Sequence, residues 1–179
     1  MRLTISGPPG SGKTTACNKL SEVLGMRTAV FGNVFREMAS DRGISLSEFS
    51  ELAEQDETID RSLDSRMVEI AKENDNIILE SRLSAYMCLR NGIPAFKIYL
   101  HASPDVRVRR VGLRDNEEIE QALRTTAERE ASEKKRYMAY YGIDISDTSI
   151  YDLIVNTDLL DQDEVVSHIL NVLEERGCL

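Results

Sequence analysis

The chain has 179 residues, of which 41% are hydrophobic and 30% are charged. This length fits one domain, and a chain of this size buries roughly two thirds of its unfolded surface without a metal or disulfide staple. The 31 acidic and 22 basic residues give a net charge of -9, which disfavours a general binder of nucleic acid or of anionic membranes. An anionic ligand must therefore be held by local positive charge.

The three cysteines are Cys17, Cys88 and Cys178, and no two of them form a CxxC pair. Their scatter and odd number indicate reduced thiols rather than a disulfide framework or a zinc site. The chain starts directly with a strand-like segment and contains no run of 18 apolar residues. We expect a cytoplasmic protein with neither a membrane nor a nucleic acid as partner. The sequence does not fix the oligomeric state, for which a monomer is our working expectation.

The first third of the chain alternates short apolar runs with helical patterns, as βα units do. A strand is predicted at Leu3–Ser6, then a glycine turn and a helix over Lys13–Leu24 that Gly25 ends. A second strand is predicted at Thr28–Phe31, ended by Gly32.

Residues 34–74 read as three helices, broken near Gly43 and near Gln55 and Asp56. Ser45 and Glu48 have the spacing of a capping box at the start of the second helix. The block lacks strands and is too long for a simple crossover, so we predict a helical insert.

The rest of the chain returns to the βα pattern, with one more helical interruption at residues 105–141, broken near Gly112 to Asn116. Strands are predicted at Ile77–Leu79, Phe96–Leu100 and Leu153–Val155, and a final helix at Asp161–Arg176. The predicted class is α/β, with about five parallel strands and helices on both faces. The segment 107–136 is rich in arginine and thus locally positive.

Gly7–Thr14 matches the pattern GxxxxGK[ST] and lies between a predicted strand and a predicted helix, as this phosphate-binding loop requires. Its backbone N–H groups and the helix N-terminus would hold phosphate, Lys13 would reach the β and γ phosphates, and Thr14 would ligate Mg²⁺. Both flanks argue against an incidental glycine turn. The predicted ATP-binding residues are Gly7, Pro8, Pro9, Gly10, Ser11, Gly12, Lys13, Thr14 and Thr15.

Further segments, together with this loop, resemble cytidylate kinases of the archaeal type, a branch of the nucleoside monophosphate (NMP) kinases. The resemblance covers about residues 1–160. The segments are Gly7–Thr15, Gly32–Glu37, Ile59–Arg61, Leu79–Leu83, Arg129 with Arg136 and Tyr137, Tyr141–Asp147 and Ser149–Leu153. The resemblance implies a three-layer P-loop NTPase fold, ATP with Mg²⁺ as co-substrate, and CMP and dCMP as acceptors.

The resemblance also implies an organisation within one domain. The core would comprise residues 1–32, 75–106 and 142–179. The NMP-binding insert would span about 33–74, and a mobile lid with its flanking helices about 107–141. Asn156 and Thr157 would line the adenine pocket.

The site residues implied by the resemblance are mostly arginines. Arg36 and Arg82 would clamp the acceptor phosphate, since a guanidinium can contact it in bidentate fashion. The residues over the transferring phosphate would be Lys13, Arg110, Arg114, Arg129 and Arg136. A phosphate acceptor is largely ionised at neutral pH, so no general base is required. Arg42, Arg107 and Arg124 are interpreted instead as solvated residues of helix faces.

Cytosine presents an exocyclic amine donor beside ring acceptors, so a protein that binds it should offer a hydrogen-bond acceptor and a donor side by side. Asp60 and Arg61 could supply them. The alternative is an ordinary charged helix face that also includes Asp56, Glu57 and Asp64. The sequence departs from the family pattern at Asn33, where aspartate is expected, and at Ser81, where glycine is expected. Asn33 puts a metal-water contact at its position in doubt.

Two other functions stay open at this stage. One is a kinase of the same fold with another acceptor, such as UMP, AMP or shikimate. A hydroxyl acceptor such as shikimate would need a nearby base, and Asn33 is a poor one. The other is an ATP-dependent switch without a phosphate acceptor, for which an arginine-rich lid would have little use.

Overall fold

A five-stranded parallel sheet forms the centre of the molecule in the computed structural model, which describes all residues 1–179. The strand order is β2-β3-β1-β4-β5, and every neighbouring pair is parallel. The strands are β1 (Arg2–Ser6), β2 (Arg27–Val30), β3 (Ile77–Glu80), β4 (Phe96–His101) and β5 (Leu153–Asn156). The predicted α/β class with about five parallel strands is confirmed.

Eight helices connect and flank these strands. They are α1 (Lys13–Leu24), α2 (Phe31–Asp41), α3 (Leu46–Gln55), α4 (Glu57–Glu73), α5 (Ser84–Arg90), α6 (Pro104–Asp115), α7 (Ile119–Tyr141) and α8 (Gln162–Glu175). None of them combines the length and the apolar character that crossing a membrane requires.

The two faces of the sheet carry separate hydrophobic cores, because successive side chains of a strand point to opposite faces. On β3, Ile78 packs in a core with Leu20 of α1 and Ile169 of α8. Its neighbour Leu79 packs in a second core with Met67 of α4. The sheet is therefore the middle of three layers.

The helices α2, α3 and α4 form the predicted insert and share a small core of their own, built around Phe35, Phe49 and Ile59. The breaks between its helices lie where the sequence predicted them, near Gly43 and at Asp56. Ser45 and Glu48 make the predicted capping box of α3, with both reciprocal bonds present. This cap explains the start of a new helix there, since it satisfies a backbone N–H group of the first turn of α3.

Two elements differ from the sequence-based prediction. The second strand ends at Val30, and Gly32 lies in the first turn of α2 instead of ending the strand. Phe31 begins the helix because its ring is buried in the second core. Helix α5 was not predicted, since its residues Ser84–Cys88 are all buried and show no amphipathic period.

Candidate active site

The phosphate-binding loop joins β1 to α1 at the carboxyl edge of the sheet. Gly10 and Gly12 have φ angles of +79° and +90°, a region that side chains rarely adopt. A Cβ on Gly10 would lie 2.5 Å from the carbonyl oxygen of Arg107. The sequence motif is thus required by backbone shape as well as by phosphate chemistry.

Lys13 and Thr14 occupy the first turn of α1 and line the cavity described below. Lys13 Nζ donates a hydrogen bond of 2.9 Å to the carbonyl of Pro8, on the other side of the loop. Burial lowers the pKa of Lys13 to about 8, against the opposing effect of Glu80. The ammonium therefore lies in a poorly solvated position, where its attraction to an anion is strong.

Glu80 is a site residue that the sequence reasoning did not single out. It ends β3, is buried, and accepts a 3.0 Å hydrogen bond from the Thr14 hydroxyl. A carboxylate and a hydroxyl are hard oxygen donors of the kind that Mg²⁺ prefers, so this pair fits the ion. The sequence did contain a signal for Glu80, because it is an acidic residue at the end of a fully buried strand. Parallel sheets bind their ligands at the carboxyl ends of the strands.

A group of arginines, the arginine cluster, faces the cavity from four parts of the chain. Its members are Arg36 of α2, Arg82 after β3, Arg114 of α6 and Arg129 of α7. Burial and the neighbouring guanidiniums of Arg114 and Arg129 lower the pKa of Arg36. Like charges held this close favour binding of a multiply charged anion between them.

Glu133 of α7 holds two members of this cluster in place. Arg82 donates to one of its oxygens at 2.6 Å and Arg129 to the other at 2.9 Å. Although burial opposes ionisation, the two guanidiniums hold the pKa of Glu133 at about 2. Asp115 plays a similar role at the rim, where Arg114 donates to both of its oxygens at 2.7 and 2.6 Å. Neither carboxylate was recognised from the sequence.

Arg110 connects α6 to the region expected to hold adenine. It donates to the hydroxyl of Thr157 at 2.8 Å and to the carbonyl of Thr157 at 2.7 Å. Both residues line the cavity, and Asn156 does not. Arg110 therefore lies beside the phosphate loop, although its hydrogen bonds in this structure are to protein groups.

The structure corrects the interpretation of Arg107 as a solvated residue. It is buried, donates to the carbonyls of Pro9 at 3.2 Å and Ala102 at 3.1 Å, and pairs with Glu130 of α7. The sequence could not show this, because α6 comes near the phosphate loop only through the tertiary fold. Arg107 therefore connects the phosphate loop to α6 and α7.

Asp60 and Arg61 are separated by the structure. Asp60 is buried, lines the cavity and forms an ion pair of 2.7 Å with Arg136, whose guanidinium lies 5.3 Å from the centre of the Phe35 ring. Arg61 points away, donating to Glu57 at 2.9 Å and to the Tyr140 carbonyl at 3.1 Å. Asp60 is thus brought to the site, and Arg61 is not.

One cavity of about 770 Å³ brings these groups together. It runs from the phosphate loop past the arginine cluster to the face of α4 that carries Asp60 and Asp64. Predicted site residues outside its lining are Gly7, Pro8 and Arg61; those within it are Pro9, Gly10, Ser11, Gly12, Lys13, Thr14, Thr15, Arg36, Asp60, Arg82, Arg110, Arg114, Arg129 and Arg136.

The family model described as "Cytidylate kinase-like family" matches residues 2–159. The chain belongs to this family. It is 44% identical over 175 residues to a cytidylate kinase of Methanocaldococcus jannaschii, covering 97% of this chain and 98% of that protein. It is 41% identical over 175 residues to a cytidylate kinase of Thermoplasma volcanium, with 98% and 92% covered.

Solved structures show the same fold at low identity. A shikimate kinase of Aquifex aeolicus superposes with a TM-score of 0.63 at 17% identity, covering 99% of this chain and 98% of that one. An uncharacterized protein of Eubacterium ventriosum gives a TM-score of 0.70 at 16% identity, covering 97% and 98%. These likenesses establish the architecture, and the family membership comes from the sequence relatives.

The two departures of this family member from the expected pattern both lie on the cavity wall. Asn33 lies in the first turn of α2, and Ser81 follows Glu80 directly. Ser81 Oγ accepts a hydrogen bond of 3.1 Å from the backbone N–H of Leu83, which stabilises the turn that presents Arg82. The serine thus has a structural role where glycine was expected.

Proposed function

We propose that this protein transfers the γ-phosphoryl group of ATP to CMP, and also to dCMP, giving ADP and the corresponding diphosphate. The observation that carries the proposal is the single cavity with two anion sites, the phosphate loop and the arginine cluster. A protein that only bound ATP would not need the second site. The similarity to relatives named cytidylate kinase supports cytosine as the base.

At the donor end, the phosphate loop and Lys13 would bind the β and γ phosphates. The Thr14 hydroxyl and the Glu80 carboxylate would hold Mg²⁺, directly or through its water ligands. The ion would supply charge stabilisation to the phosphoryl oxygens. Lys13, whose ammonium is poorly solvated, would add to this stabilisation as charge develops on the oxygen between the β and γ phosphates.

At the acceptor end, Arg36 and Arg82 would clamp the monophosphate and Arg129 would face the transferring group. The monophosphate oxygen is itself the nucleophile and is ionised at neutral pH, so the site needs positioning rather than a base. Glu133 is a positioning residue in this scheme, because it fixes the guanidiniums of Arg82 and Arg129.

We also propose a division of labour along the chain. Residues 33–74, which hold most of α2 and all of α3 and α4, would bind the monophosphate, and residues 107–141, which hold most of α6 and all of α7, would form the lid. Arg110 and Arg114 lie on α6 and Arg129 and Arg136 on α7, so movement of this helix pair would carry four cations over the phosphates. Closure would also exclude water and limit hydrolysis of ATP.

The test is a coupled assay of ADP formation with ATP and Mg²⁺, using CMP, dCMP, UMP, AMP or GMP as acceptor, and a reaction without acceptor. We expect preference for CMP and dCMP, and loss of activity in Arg36→Ala. Arg27→Ala is the matched control, since Arg27 lies at the start of the edge strand β2 and is exposed. Preference for UMP or AMP would indicate another specificity, and equal ADP release without acceptor would indicate an ATPase or switch.

We also propose that the protein acts as a monomer in the cytoplasm.

The cysteines are consistent with the cytoplasm. Burial raises the pKa of the Cys17 thiol to about 12 and that of Cys88 to about 11, as expected of inert packing residues kept reduced. Size-exclusion chromatography with light scattering tests the monomer, and a mass near twice 20.2 kDa would contradict it.

A further inference from the structure

Asp64 lies on the cavity wall and is not used by the mechanism described above. It follows Asp60 by four residues on α4, so the two carboxylates share one face of that helix. Tyr141 of α7 donates a hydrogen bond of 2.6 Å to Asp64 Oδ2. Asp64 Oδ1 receives no such hydrogen bond from the protein. One oxygen is thus oriented by Tyr141, and the other keeps its hydrogen-bonding capacity unused within the protein.

Arg136 pairs with only one of these two carboxylates. Arg136 forms its ion pair with Asp60, so Asp64 has no ion-pair partner. Burial raises the pKa of Asp64 to about 7, the charge of Asp60 adds to this, and the Tyr141 hydrogen bond and Arg136 act in the opposite direction. Near neutral pH the side chain is therefore divided between the acid and the carboxylate.

Other charged and titratable groups surround the pair on each packed element. Arg61 of α4 lies 5.4 Å from the Tyr141 ring centre, and Arg90 of α5 donates to the Tyr141 carbonyl at 2.7 Å. Glu54 of α3 pairs with Lys135. On α7, burial raises the pKa of Tyr137, Tyr140 and Tyr141, so these phenols stay protonated.

We propose that Asp64, in its protonated form, reads the cytosine base of the acceptor. Oδ1–H donates to ring N3 and Oδ2 accepts from the exocyclic amine. This rests on the proposed cytidylate kinase activity and names the group that selects the base. It replaces Arg61, which the structure turns away from the cavity.

The Tyr141 hydrogen bond determines which oxygen of Asp64 accepts from the base and which one donates to it. Because Tyr141 donates to Oδ2, that oxygen acts as the acceptor and the proton belongs on Oδ1. Cytosine presents an amine and a ring acceptor, and it matches this arrangement. Uracil presents a carbonyl in place of the amine and a ring N–H in place of the ring acceptor. The uracil carbonyl would face the acceptor Oδ2, and the ring N–H would face the donor Oδ1–H, so neither hydrogen bond would form. A buried polar group left without a partner weakens binding, so selection against UMP of about ten-fold or more is expected.

The decisive variant is Asp64→Asn, which carries a permanent donor and acceptor in place of the protonated acid. The measurement is KM for CMP from pH 6.5 to 8.5 at saturating ATP. Glu73→Gln, at the exposed end of α4, is the matched control. In the parent protein and the control, KM is expected to rise about ten-fold for each unit above pH 7, as Asp64 ionises. In Asp64→Asn, KM should stay flat while the control still rises.

A second variant keeps the proposal testable if Asp64→Asn folds poorly. Tyr141→Phe removes a hydrogen bond that lowers the pKa of Asp64, so the rise in KM should begin at higher pH. The same variant should lose selection of CMP over UMP by about ten-fold. Thermal unfolding of each variant shows whether it is folded.

The outcomes separate the two proposals. If the parent protein phosphorylates CMP and Asp64→Asn keeps the parent's pH profile, the role of Asp64 is overturned while the kinase assignment stands. Loss of CMP phosphorylation at pH 7 in a folded Asp64→Asn variant would also overturn the proposal that protonated Asp64 recognises cytosine. No phosphorylation of CMP by the parent protein would overturn both.

Discussion

Replacing Glu133 with Gln should destabilise the protein strongly and in a pH-dependent manner. The change keeps the shape of the side chain but leaves the guanidiniums of Arg82 and Arg129 without their shared carboxylate. The side chain is only 4% exposed, so solvent screening is weak. Removing one partner of a buried ion pair costs about 3–5 kcal/mol.

The pKa of Glu133 gives an independent magnitude. It is about 2 in the folded protein against a reference of 4.5. At about 1.4 kcal/mol per unit, the depressed pKa corresponds to about 3 kcal/mol of stability. Because the folded value is the lower one, this stability is fully present above pH 4.5 and is lost as pH falls through 2. The destabilisation in the variant should therefore shrink in acid.

The assay is urea unfolding of the parent protein, Glu133→Gln and the control Glu128→Gln at pH 7 and pH 3. Glu128 is an exposed residue of the same helix. At pH 7 the free energy of unfolding of Glu133→Gln should be lower by about 3 kcal/mol, and at pH 3 the difference should fall to less than half. A loss below about 1 kcal/mol at pH 7, or an equal loss at both pH values, would refute the reasoning.

Three further predictions concern the donor end of the site. Gly10→Ala should abolish ATP binding, measured by calorimetry, since the new Cβ would lie 2.5 Å from a backbone oxygen of Arg107; retained affinity would contradict the required loop shape. Lys13→Met should lower kcat by about 10²–10³-fold, as loss of one stabilising donor does, with exposed Lys134→Met unchanged. Glu80→Gln should raise the Mg²⁺ concentration giving half-maximal activity, and an unchanged Mg²⁺ titration would remove Glu80 from the metal site.

Much of the donor site could be predicted from the sequence, because its geometry is local. Gly10, Gly12, Lys13 and Thr14 lie within a few residues of one another, and strand, loop and helix follow directly along the chain. The start of α3 could also be predicted, because the capping box of Ser45 and Glu48 satisfies backbone N–H groups within four residues of the chain. The family resemblance added the arginines and is supported by the match over residues 2–159.

The tertiary structure decided which charged residues are buried and what they pair with. The sequence reasoning placed Arg107 on a solvated helix face and Arg61 at the base of the acceptor, yet Arg107 supports the phosphate loop and Arg61 turns outward. Asp64 acquires its raised pKa because the packing of other elements against α4 buries it, an effect that outweighs the opposing influence of Tyr141 and Arg136. The physical reason is that desolvation and Coulomb interactions depend on distances between groups far apart in the chain, which periodicity and spacing do not encode.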